Sequence, residues 1–135
     1  MPETQANPPV IRLERRLKQS PAAVWKALTT PELLAKWWAP GEIRAEVGHR
    51  FTLDMGKWGQ QPCEVKAVEP ERKLAYTFIL NTTVTWELIP EAGGTLLVMT
   101  HEGFDPESPV DRQAFEGVSG GWPVILEKLG ATLSA

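Results

Sequence analysis

The side chains able to do chemistry are few. His49, His101 and Cys63 are the only imidazoles and the only thiol of the chain. A transition-metal site would have to use all three, and their spacing matches no short ligand motif. No metal site is therefore expected. Asp54 and Glu64 are carboxylates that could do acid–base work, but only if burial or a neighbour moved their pKa. No P-loop or HExxH helix occurs, and Gly117-Val118-Ser119-Gly120-Gly121 has the GxSxG spelling without the preceding strand that a nucleophile elbow needs. The run Gly117-Val118-Ser119-Gly120-Gly121 follows no strand, so it lacks the context in which glycines cradle a phosphate. Cys63 alternates with Val65 and Ala67, the position of a small buried apolar side chain. No catalytic residue can be assigned from motifs, and no cofactor is implied.

The elements that would position these groups begin with the stretch from Ser20 to Trp38. Ser20 precedes Pro21 and Thr30 precedes Pro31. A hydroxyl followed by proline is a helix start: the side chain takes one orphan N–H and proline removes another. Two short amphipathic helices are predicted, over about 21–29 and 31–38, the second ending in Trp37-Trp38. Before them, Val10 to Lys18 alternates as a strand, with Ile11, Leu13 and Leu17 on one side. Its basic residues Arg12, Arg15, Arg16 and Lys18 read as the solvent face of that strand.

Six strands are expected after the helices, in Ile43–Val47, His49–Met55, Cys63–Ala67, Leu74–Leu80, Val84–Leu88 and Thr95–His101. Turns are expected at Gly48, at Gly56-Lys57-Trp58-Gly59 and at Pro90 to Gly94. No crossover helix separates these strands, so the sheet should be an antiparallel meander. From Phe115 the period changes: Phe115, Val118, Trp122, Ile125, Leu129 and Leu133 are spaced by three or four, as on one face of a helix. Pro123 predicts a kink, or a fresh helix start near Gly121. The fold class is α+β: a curved antiparallel sheet wrapped around a long C-terminal helix, with two short helices after the first strand.

The 135 residues fit one domain, 10–135, after a loose Pro-containing tail over 1–9. The formal net charge of −3 argues against a nucleic-acid partner, which needs a concentrated basic surface. A single cysteine, no signal-peptide pattern and no apolar run long enough for a membrane span lead to an expected cytoplasmic location. Leu96 and Val98 lie out of phase with Leu97 and Met99, so both should face outward. Two exposed aliphatics on one strand would favour a homodimer through this sheet face.

These motifs, in this order, resemble the SRPBCC or START-like superfamily with its helix-grip fold, in particular the AHSA-type branch named for the activator of a heat-shock chaperone ATPase. The resemblance covers about residues 10 to 134. It is carried by Ser20-Pro21 through Val24-Trp25, by Pro31 through Trp37-Trp38, by Val68-Glu69-Pro70 with Leu74, by Thr95 through His101-Glu102-Gly103-Phe104, and by Gly121-Trp122 with Leu126 and Leu129.

The resemblance implies a cavity between the long helix and the concave sheet face, opening near the two short helices and taking a small hydrophobic or aromatic ligand. It would turn Tyr76, Phe78, Trp86, Met99 and His101 inward, with Trp122 and Ile125 facing them from the helix and Trp37 and Trp38 near the mouth. Tyr76 and His101 would be the polar groups that orient the ligand. Two alternatives accompany this binding role. One is a cofactor-independent cyclase or hydrolase in the same cavity; the other is a chaperone-activator-like interaction module. Co-chaperone members of the family carry a separate N-terminal chaperone-binding domain, for which the chain length leaves no room.

Overall fold

Alternating strands and one amphipathic helix leave a single way to bury their apolar faces, and the chain takes it. The computed structural model describes residues 9–134. The first strand, β1 (Ile11–Leu17), leads into α1 (Pro21–Thr29) and α2 (Pro31–Trp37). Five strands follow: β2 (Arg50–Asp54), β3 (Gln60–Glu69), β4 (Lys73–Phe78), β5 (Thr82–Glu91) and β6 (Gly94–Glu102). The helix α3 (Pro109–Ser134) ends the described chain. The sheet has six antiparallel strands in the order β1-β6-β5-β4-β3-β2, so β1 closes onto β6 across the meander. Register sets the concave face. Ile11, His101, Val84, Tyr76 and Val65 form one row across five strands, and Leu13, Met99, Trp86 and Leu74 another. From α3, Trp122, Leu126 and Leu129 pack onto this face and are buried.

The two helix starts are not equivalent. The Ser20 hydroxyl accepts the Ala23 N–H at 3.2 Å, as expected of an N-cap. Thr30 occupies the N-cap of α2 but makes no side-chain cap bond; its backbone N–H instead closes α1 on the Lys26 carbonyl. Proline at the first turn of α2 has already removed one orphan donor, which leaves less for Thr30 to satisfy.

Five strands follow the helices rather than six. Ile43–Val47 is not a strand. Gly41 crosses so close to β2 that a Cβ there would lie 2.8 Å from the Thr52 carbonyl oxygen, and the Asp54 N–H bonds to the Pro40 carbonyl. Ile43 is buried by this crossing while Val47 is 63% exposed on the turn back to Gly48, so their alternation does not mark one face of a sheet. β4 stops at Phe78 because Leu80 and Asn81 take left-handed φ of 53° and 61°. Leu80 is consequently exposed rather than in phase with the core. The helix α3 starts at Pro109 and runs unbroken through Pro123, so no new helix begins at Gly121. Packing of its apolar face onto the sheet outweighs the one hydrogen bond that Pro123 removes.

Two surface expectations are also corrected. Arg15 lies on the concave side, paired with Leu97, and its guanidinium covers Gly130 of α3 so closely that a methyl there would meet it at 2.9 Å. Leu96 and Val98 do share the convex face, but Val98 is only 2% exposed, flanked in register by Glu14 and Glu87. Ile89, opposite Leu96, is the exposed aliphatic there, at 45%.

The β5–β6 turn depends on Gly94, where an added Cβ would fall 1.9 Å from the Leu17 carbonyl oxygen. Gly94→Ala must separate β1 from this turn. Urea unfolding is expected to show a loss of about 2–3 kcal/mol; an unchanged midpoint would contradict the packing.

Candidate ligand-binding site

The site lies where α3 passes the open end of the sheet. α3 shows the sheet a face made of Ala114, Gly117, Val118, Gly121, Trp122 and Ile125, spaced by three and four. At Gly117 and Gly121 an added Cβ would meet nothing within 4 Å. Glycine inside a helix costs roughly 0.5–1 kcal/mol against alanine, so these positions weaken the helix and leave space beside it. That space is a cavity of about 630 Å³. Opposite α3 it is walled by Trp38 at the end of α2, Phe78 and Ile79 at the end of β4, and Met55 and Trp58 of the β2–β3 hairpin. The exposed rim is Trp58, 69% exposed with the Lys57 ammonium 4.7 Å over its ring, and Val110 on the first turn of α3. Gln61 and Gln113 are the polar side chains of the lining, and no titratable residue belongs to it.

Trp38 is the centre of the aromatic wall. Its ring packs against Trp122 at 5.1 Å, Phe78 at 5.0 Å, Trp37 at 5.8 Å and Tyr76 at 6.2 Å between centroids. Its indole N–H is the one buried side-chain polar atom, among the described residues, without a hydrogen-bond partner. A donor left in that state costs about 1–3 kcal/mol, so its aromatic packing must outweigh that penalty. Trp37, adjacent in sequence, turns the other way. It is fully buried, and its N–H donates to the Ala27 carbonyl at 2.9 Å.

Of the residues expected to line a cavity, the structure brings Trp38, Phe78, Trp122 and Ile125 to it. Trp37, Tyr76, Trp86, Met99 and His101 form the packed layer behind. The polar groups of that layer are already engaged. The Tyr76 hydroxyl oxygen accepts the Trp86 indole N–H at 2.8 Å, and burial drives the Tyr76 pKa up, the bond from Trp86 opposing only part of that rise. His101 is bound at both nitrogens. Trp122 donates its N–H to Nδ1 at 3.0 Å, and an indole nitrogen can only donate. The imidazole proton therefore sits on Nε2, which donates to the Thr82 hydroxyl at 2.7 Å; that hydroxyl in turn donates to the Ile79 carbonyl at 2.7 Å. Burial lowers the His101 pKa from 6.5 to about 4, which keeps this neutral tautomer in place.

The remaining candidates stand apart. Burial pushes the Cys63 thiol up to about 12, away from the reactive thiolate. The His49 ring stacks on Phe51 and its Nε2 bonds to the Glu42 carbonyl. Among the described residues, no group of three or more His, Cys, Asp or Glu side chains is placed to hold a metal ion. Sequence reasoning missed Met55, Trp58, Gln61, Ile79, Val110, Gln113, Ala114, Val118 and the two cavity-facing glycines. For the α3 residues the signal was present: the 114-117-118-121-122-125 spacing puts both glycines on the same face as Trp122.

The fold and site define a helix-grip protein with an aromatic cavity under the N-terminal half of its long helix. The chain belongs to the AHSA1 family, described as Activator of Hsp90 ATPase homolog 1-like protein, which matches residues 18–134. Among solved structures it is similar to the protein MLL2253 of Mesorhizobium loti, at 36% identity and a TM-score of 0.86, covering 93% of this chain and 97% of that one. It is also similar to BH1534 of Bacillus halodurans, at 30% identity and a TM-score of 0.80, covering 93% and 96%. The Aha1 dimer of Colwellia psychrerythraea shares the fold at 20% identity and a TM-score of 0.75, covering 93% and 96%. No curated protein matches the chain.

The His101 network carries a pH dependence. In the unfolded chain His101 regains its ordinary pKa of 6.5, whereas the fold holds it near 4. Between those values the unfolded state binds the extra proton, so stability falls as pH is lowered through the window and levels off below it. The full loss is roughly 3 kcal/mol, at 1.36 kcal/mol per pKa unit. Urea unfolding at pH 7 and at pH 4.5 should show a smaller drop in His101→Gln than in the parent, by about 2 kcal/mol. Equal drops would mean that His101 is not held neutral by the fold.

Proposed function

We propose that this protein binds a small hydrophobic or aromatic molecule in the cavity between α3 and the sheet. The observation that carries this reading is the lining: aromatic rings and helix glycines around about 630 Å³, with no titratable group. Such a surface offers stacking and desolvation and two amide side chains for orientation. It offers no acid, base or nucleophile, so binding is favoured over a cyclase or hydrolase role. In the packed layer behind the lining, the Tyr76 hydroxyl accepts from Trp86 and His101 is bound to Trp122 and Thr82. Hiding ~300 Å² of apolar ligand gains about 7 kcal/mol gross, from which association takes several kcal/mol. The affinity expected for a simple aromatic is micromolar or weaker.

Two further roles belong to the same reading. Among the described residues no helix is long and apolar enough to cross a membrane, and the site needs none, since its rim at Trp58 and Val110 faces solvent. Self-association through the convex face would rest on Ile89 and Leu96. Sedimentation velocity showing only monomer at tens of micromolar would remove it. A chaperone-activator role would need a protein-facing groove beside a closed cavity, and the cavity is open at its rim.

The cavity is tested with N-phenyl-1-naphthylamine, which brightens in apolar surroundings. The parent should bind it with enhanced emission. Gly121→Ala should keep that binding and raise stability by about 0.5–1 kcal/mol through helix propensity. Gly121→Leu should fill the space and weaken binding by at least about tenfold, or ~1.4 kcal/mol. Unchanged probe affinity in a folded Gly121→Leu protein would place the ligand elsewhere.

A further inference from the structure

The sheet is open between β3 and β4, and the opening is built into the chain. The two strands pair from Glu69 with Lys73 to Val65 with Tyr76, and there the pairing stops. β3 nevertheless reaches back to Gln60, paired there only with β2. Val65 spends both backbone groups on the β2 side, donating to His49 and accepting from Gly48. By alternation, Glu64 and Pro62 turn their backbone towards β4. The Glu64 N–H is taken by the Thr77 hydroxyl at 2.9 Å instead of by a carbonyl, and Pro62 has no N–H to give. β4 then leaves the sheet through the left-handed residues Leu80 and Asn81. The strands cannot close at this point, because the donors that a ladder needs are missing or already spent.

The gap holds a pocket of about 490 Å³. It shares Gln61, Phe78 and Ile79 with the cavity under α3, so these three side chains are the partition between the two spaces. The turn that carries the partition is held by one side-chain bond, from the Thr82 hydroxyl to the Ile79 carbonyl. Outside the partition the gap is lined by the polar side chains Thr52, Thr77 and Asn81 and by apolar neighbours, Pro62 and Leu80 among them, with Arg50 and Glu64 at its edge. The last two face each other at 3.6 Å, and Lys66 lies 3.3 Å from Glu64, so the carboxylate is neutralised and the polar lining is otherwise uncharged.

We propose that the gap is a second subsite of the same binding site, and that the ligand is amphipathic. Its aromatic body lies under α3, and an uncharged polar arm — a hydroxyl, ether or amide chain — passes Phe78 and Ile79 into the gap. The proposal rests on the cavity reading above. The aromatic walls select the body, and the hydroxyl and amide side chains select the arm. A charged arm gains little there, because Arg50, Lys66 and Glu64 lie at the solvent-exposed edge, where ion pairs contribute little.

Two fluorescent probes separate the possibilities: dansylamide, and dansylamide N-substituted with a hydroxyethoxyethyl arm. In the parent protein the armed probe should bind about fivefold tighter, the gain of roughly one added hydrogen bond. Thr52→Trp, at an exposed position on the outer edge of the gap, should abolish that gain and leave dansylamide affinity unchanged. The side-chain amide resonance of Asn81 should shift with the armed probe alone. Equal affinities in the parent, a gain that survives Thr52→Trp, or an unmoved Asn81 resonance would each overturn the proposal. If neither probe binds the parent protein, the cavity reading itself fails and this proposal fails with it. If dansylamide binds but the arm adds nothing, only the second subsite fails.

Discussion

The hydrogen bond from the Trp122 indole to His101 Nδ1, at 3.0 Å, is the constraint on which the site depends. It joins the middle of α3 to the end of β6 in a layer where neither ring reaches water. Because the indole can only donate, the histidine must stay neutral and must pass its own proton outward, to Thr82 and so to the turn at Ile79. One donor thereby fixes a tautomer, the rotation of a helix and the position of a turn. With Trp122 pinned, Gly117, Val118, Gly121 and Ile125 necessarily face the sheet, and the glycines leave the void that Trp38 and Phe78 wall off. A chain of hydrogen bonds in a low-dielectric layer is stiff, and leaving any member unsatisfied is costly.

Much of the fold was legible in the sequence because period and turn chemistry act locally. The alternation at Tyr76-Phe78, at Val84-Trp86-Leu88 and at Leu97-Met99-His101 put the right side chains on the concave face, and the three-four spacing from Phe115 gave the helix that covers them. Local signals failed where a neighbour in space decided the outcome. Ile43–Val47 alternates, yet the close crossing of Gly41 over β2 denies it a partner strand. Arg15 reads as a solvent-facing charge, yet the side chain of Gly130 is absent and the guanidinium fills its place. Val98 reads as exposed, yet in the middle of the sheet it is buried.

The candidate site was legible in outline and misjudged in detail for a similar reason. A sequence shows which residues face inward but not which of their donors and acceptors are already used. Tyr76 and His101 have the chemistry to orient a ligand, and the structure commits both to indole N–H groups. Trp37 and Trp38 are adjacent and chemically identical; the end of α2 sends one into the core and the other to the cavity wall. The glycine run at 117–121 lacks a phosphate-binding context in the sequence, whereas in the fold Gly117 and Gly121 mark where α3 gives up side chains to leave room. Membership of the AHSA1 family accounts for the architecture. Function is carried by what this chain puts into the cavity, and a shared fold does not supply that.

The central claim is that Trp122 fixes the rotation of α3 against the sheet, so that its glycines leave an aromatic-walled space open for a ligand. A crystal structure of the protein soaked with N-phenyl-1-naphthylamine tests it most directly. The account predicts density for the probe between Trp38, Phe78 and Trp122, over Gly117 and Gly121, with the Trp122–His101 bond intact. A probe bound outside this space, or a cavity closed by side chains in the soaked protein, would contradict it.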